Sequence, residues 1–133
     1  MAPADADPQA GSRTPARRPP FRRLVEGLAG WAFLITVISI VWDNPPVLTA
    51  MLVGASIATL VTERSRRTTL FWLAGAILGP SGESLCVHFG AWKYAATEFL
   101  IPFWLPPAWG LATLSLVMVV EAAGDLLGSD AAE

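Results

Sequence analysis

The sequence predicts an all-α integral membrane protein, a four-helix bundle with both termini in the cytoplasm. Three observations predict it. Of 133 residues, 53% are hydrophobic and 15% charged, with a mean hydropathy of +0.50, whereas soluble domains carry about a quarter charged residues. The bases leave three long gaps, 40 residues from Leu24 to Glu63, 25 from Thr68 to Trp92 and 40 from Tyr94 to Glu133. A membrane span takes about 20 mostly apolar residues, so these windows hold two, one and one spans. Finally, eight of the nine bases fall in residues 1–23 and 63–67 and only Lys93 lies elsewhere.

Residues 1–20 hold five prolines and show no hydrophobic period, as expected of a disordered cytosolic tail. A signal peptide is the competing reading, but the basic region is long and the apolar stretch from Gly27 to Trp42 is span-like. The Pro19-Pro20 that follows Arg17-Arg18 is also wrong for a twin-arginine signal. The first span is expected over Leu24–Trp42, ended by Asp43-Asn44-Pro45-Pro46, through which no helix continues comfortably. The second is expected over Val47–Thr62, ended by Glu63-Arg64-Ser65-Arg66-Arg67. The third is expected over Thr68–His88, with Pro80 inside it. Gly90–Pro106 reads as an aromatic, proline-punctuated connection. The fourth is expected from Pro107 to Val120 or as far as Leu127, so that the spanning domain covers 21–127 and an acidic tail covers 128–133. With four spans, the eight-to-one split of bases puts both termini in the cytoplasm. Trp42, Trp92 and Trp104 then fall at the outer boundary and Trp72 near the inner one, as an aromatic belt places them. The two hairpins show no repeat, because Gly90–Pro106 has no counterpart in Asp43–Pro46.

This composition excludes a soluble enzyme and a nucleic-acid binder. Cys86 is the sole cysteine and His88 the sole histidine, so one chain forms no internal disulfide and lacks the ligands of a zinc site. No metal and no cofactor is expected. The partners that remain are the lipid bilayer and a second copy or a membrane partner protein.

The third span carries the candidate site. Gly75 and Gly79 stand four apart, the small-residue spacing that lets membrane helices approach closely. Ala50, Gly54 and Ala58 on the second span offer a matching small face, so Gly54 joins Gly75 and Gly79 as a packing candidate. Glu83 continues the Gly75–Gly79 face. At 1.5 Å per residue it lies about 22 Å from Thr68, in the outer third of the membrane. A carboxyl there must face the bundle, face a hydrated pocket, or hold its proton. It is either a general acid or ligand at an outward-opening site, or a structural group in an inter-helix hydrogen bond to a Ser, a Thr or a backbone carbonyl exposed by Pro80. His88, about 140° further round a helix, does not share its face; a hydrogen bond to Ser84 is its structural reading. Glu26 and Glu121, near the cytoplasmic ends, read as partners of the arginines.

From Glu83 onward, Phe89-Gly90-x-Trp92-x-Tyr94, Pro102-x-Trp104-Leu105-Pro106 and Trp109 form a pattern. It resembles a set of small four-span bacterial inner-membrane proteins without assigned function, which similarly carry an acid late in span three, a Gly-x-x-x-Tyr turn and a Pro-x-Trp step into span four. More distantly it is similar to the membrane hydratases and lycopene cyclases of carotenoid biosynthesis, although this chain is about half the length expected of those enzymes. The first resemblance implies an accessory or structural protein of the bacterial inner membrane. The second implies an enzyme in which Glu83 protonates an isoprenoid double bond while His88, Trp92, Tyr94 and Trp104 line the substrate, aromatic faces stabilising the cation. A small proton-coupled exporter is a third class with this size and one buried acid.

Overall fold

The computed structural model describes residues 18–94 and 100–130, so the expected tail at 1–17 lies outside the described residues. Among these residues the chain forms four helices: α1 over Pro20–Val41, α2 over Pro45–Glu63, α3 over Arg66–His88 and α4 over Leu105–Asp130. All four are long and apolar enough to cross a membrane. The shortest, α2 with 19 residues, reaches about 28 Å, close to the thickness of a hydrocarbon core.

Each boundary has a local cause. Pro20 opens α1, since proline fits the first turn, where no intrahelical N–H is needed. The helix therefore starts a turn earlier than hydropathy alone predicts and carries its arginines beyond the apolar run. Asn44 caps α2, its side-chain oxygen accepting from the Val47 N–H at 3.4 Å, and Pro45-Pro46 fill the first turn. Arg64 ends α2 in the left-handed region at φ 42°. At the end of α3 the Ala91 N–H bonds the Cys86 carbonyl and the Gly90 N–H bonds Val87, a Schellman closure. It requires the φ of +78° that Gly90 adopts. Pro106 and Pro107 are tolerated in the first turn of α4. That helix continues past Leu127 to Asp130.

α4 is the central helix, lying against α1 and α3 along much of their lengths, while α2 touches its neighbours more sparingly. Leu34, Val37, Leu48, Leu52, Ala108 and Ala112 form the buried core near the α1–α2 turn. Apolar side chains such as Phe21, Trp31, Ile40, Leu70 and Leu78 point outward, as lipid-facing residues do. Hydroxyls turn back onto their own helices: Thr49, Ser56, Thr59, Ser81 and Ser84 each donate to the carbonyl four residues earlier. That satisfies them where no water is at hand.

One expected contact is replaced by another. The Gly75–Gly79 face meets α4, not the small face of α2. A Cβ at Gly75 would stand 2.6 Å from the Trp109 carbonyl, and one at Gly79 would stand 2.8 Å from Cε3 of the Trp109 ring. Gly54, expected as a packing position, is exposed with nothing within 4 Å of where its Cβ would sit. The reason is reciprocal: α4 offers a tryptophan for Gly79 and also a glycine, Gly110, for the indole of Trp72 on α3. The alanines and glycine of α2 have no such large partner to exchange.

Candidate functional site

Glu83 sits one turn after Pro80 on α3, half-buried, with its carboxylate turned to α4 and to the chain after α3. Its Oε1 accepts the indole N–H of Trp109 at 2.7 Å, and its Oε2 accepts the hydroxyl of Tyr94. Tyr94 in turn meets Trp104 edge-on, ring centroids 6.1 Å apart and planes at 89°. One carboxylate thereby ties together α3, the aromatic connection and the first turns of α4.

Of the sequence candidates, Glu83, Tyr94 and Trp104 converge. His88 and Trp92 do not: both are exposed, and neither shares a hydrogen bond or ring contact with the Glu83 group among the described residues. The His88 ring packs edge-on against Phe89 at 5.3 Å. The Ser84 hydroxyl, its suggested partner, donates to the Pro80 carbonyl at 2.7 Å. Trp109 is the residue that sequence reasoning left out of the site. Its signal was its place at the end of the Glu83-to-Trp109 pattern, one turn into α4 and beside Gly110.

At the opposite end of the bundle the termini of all four helices meet in an ionic cluster. Arg23, only 11% exposed at its side chain, donates to Asp125 at 2.9 Å and to Glu121. Arg67 also reaches Glu121 and lies 5.3 Å over the Phe71 ring. Arg22 bonds Glu26 at 2.8 Å, and Arg18 bonds both Glu26 and Glu63 at 3.0 Å. The hydrogen bond from Arg18 to Glu26, then the charge of Glu63, raises the Arg18 pKa further above its already high ordinary value. Glu26 and Glu121 are thus partners of arginines, and α1 and α4 end together. Among the described residues no three His, Cys, Asp or Glu side chains are grouped to hold a metal ion.

The fold and these two clusters define a small multi-pass membrane protein with four candidate spans. Comparison of the chain with family models, curated proteins and solved structures returned no match.

Proposed function

We propose that the chain is an accessory protein of the bacterial inner membrane, with both termini in the cytoplasm, and that Glu83 holds the fold together and performs no chemistry. The observation that carries this reading is that both oxygens of the carboxylate are engaged within the protein: one takes the Trp109 N–H and the other the Tyr94 hydroxyl. A general acid must hold a proton on an oxygen and aim it at a double bond. Here each oxygen is turned to a side chain of the protein itself. The aromatic partners of such an acid are engaged too, Tyr94 with Trp104 edge-on. The resemblance to small four-span inner-membrane proteins supports the same reading, and the eight-to-one split of bases supports the orientation.

The test is expression in cells that accumulate an acyclic carotenoid, followed by pigment extraction and chromatography. Neither the parent nor Glu83→Gln is expected to yield a hydrated or cyclised product. A new product made by the parent and lost in Glu83→Gln would overturn the accessory reading in favour of the isoprenoid enzyme.

A further inference from the structure

α2 is enclosed in its first half and open in its second. Its buried residues are Leu48, Leu52 and Ser56, whereas Thr59, Leu60 and Glu63 are only half-buried. Behind it α1 and α4 stay in close contact, a Cβ at Gly27 standing 2.9 Å from the Ser115 carbonyl. Between the three helices lies a cleft of about 430 Å³, walled by Gly30, Leu34, Ala55, Ala58, Leu111 and Met118. That volume falls in the range of small-molecule sites, about 300–1,000 Å³. The mouth carries Arg18, Glu26 and Glu63 and adjoins a charged pocket of about 230 Å³ that adds Arg23, Arg67 and Glu121. Among the described residues Arg18 alone bridges the mouth, between Glu26 on α1 and Glu63 on α2, and is 42% exposed. An exposed pair of that kind exchanges partners at little cost.

We propose that this cleft is a lipid site that takes one acyl chain of a phospholipid whose headgroup carries both a phosphate and a primary ammonium group. The walls are apolar and lie at membrane depth, so the occupant brings a hydrocarbon chain. Gly30, Ala55 and Ala58 leave the width for it. The mouth holds both signs of charge, and the headgroup matches it bond for bond: phosphate on the Arg18 guanidinium, ammonium on the Glu63 carboxylate. An anionic headgroup would leave Glu63 unpaired, and a quaternary ammonium has no N–H to give it. Residues 1–17 of the same chain are a poor rival by composition, because Met1 is their one large apolar side chain. The proposal rests on the α1–α2–α4 packing and is independent of the role of Glu83.

Native mass spectrometry of the full chain in mild detergent tests it, with phosphatidylethanolamine, phosphatidylcholine and phosphatidylglycerol of identical acyl chains. One phosphatidylethanolamine per chain is expected to be retained, about tenfold more tightly than the choline lipid, the scale of one lost charge-assisted hydrogen bond. Ala58→Trp, which fills the cleft, is expected to abolish retention with thermal stability unchanged. Glu63→Gln, made at an exposed ion pair, carries the test if Ala58→Trp does not fold: its preference for ethanolamine over choline should vanish. Equal retention of the three lipids by the parent, or a preference that survives Glu63→Gln, overturns the proposal. So does a lipid-free dimer, which would place a second copy in the cleft.

Discussion

The indole of Trp109 occupies the space that a side chain at Gly79 would take, and from there it delivers its N–H to Glu83 one turn along the same helix. Across the seam Trp72 repeats the arrangement, crossing Gly110 and donating to the Ser56 hydroxyl at 3.2 Å. Each tryptophan buries its ring over a glycine and ends in an acceptor, which answers the one polar atom that a buried indole carries. Close packing and hydrogen bonding, the two forces that associate helices in lipid, act here at the same residues.

The first prediction concerns that seam. Gly79→Leu would drive its side chain into the Trp109 ring, and overpacking of this kind costs about 1–3 kcal/mol. The melting temperature in detergent should fall by several degrees. Gly54→Leu adds the same bulk where nothing lies within 4 Å and should leave the melt unchanged. Equal effects at the two positions would mean that α3 does not lie on α4 through Gly79.

The second concerns the carboxylate. Gln at position 83 keeps an oxygen for the Trp109 N–H and turns its NH₂ to the Tyr94 hydroxyl, which then accepts, so both contacts persist without the charge of the carboxylate. Hydrogen bonds to a charged group contribute about 1.5–3 kcal/mol and neutral ones about 0.5–1.5, so the exchange should cost about 1 kcal/mol. Tyr94→Phe, which leaves the Oε2 of the half-buried carboxylate without its donor, should cost at least as much. In the double variant the two losses should not add, because both act on one carboxylate. Thermal melts of the four proteins check this. Strict additivity would show that Tyr94 and Glu83 act separately.

The spans were legible because a run of apolar residues long enough to cross a bilayer, closed by Asp43–Pro46 or Glu63–Arg67, has few other stable uses. Glu83 was legible for the complementary reason, being an ionisable group within such a run. Its partners were not. Tyr94 is 11 residues away, beyond the end of α3, and Trp109 is 26 away on another helix, so helical periodicity along α3 does not reach them. Trp109 meets it because α4 returns along α3, and Tyr94 because the chain turns back after Gly90. The partner of the Gly75–Gly79 face was hidden for a related reason. Ala50, Gly54 and Ala58 have the right spacing, but spacing says nothing of which neighbour brings a ring large enough to fill the groove. His88 and Trp92 were attractive by residue type, yet the Schellman turn at Gly90 leaves both on the surface.

The third prediction concerns orientation. In a Cys86→Ser background, a cysteine at Asn44 should react with a membrane-impermeant thiol reagent applied outside the cell, and one at Ser65 should be spared. The positive-inside distribution of the bases demands that order. The reverse pattern would invert the topology and move the lipid cleft to the outer leaflet.

The last prediction separates two arginines one residue apart. Arg22 is 65% exposed at its side chain and bonds only Glu26 across one helical turn, among the described residues. Arg23 is 11% exposed and reaches across to two carboxylates of α4, Glu121 and Asp125. An exposed helical pair contributes a few tenths of a kcal/mol, about 0.3–0.5, so Arg22→Gln should melt like the parent. Arg23→Gln removes the charge but leaves Glu121 and Asp125 half-buried. Arg67 still faces Glu121, so the loss is partial: hydrogen bonds to charged groups contribute about 1.5–3 kcal/mol each. A clear drop in melting temperature is expected for Arg23→Gln alone. The same drop should appear in Asp125→Asn to a smaller degree, because it deletes one of the two contacts and frees no charge. If Arg22→Gln and Arg23→Gln were equally silent, the ends of α1 and α4 would not be joined through this arginine, and the packing of Gly27 against Ser115 would be left as what aligns the two helices.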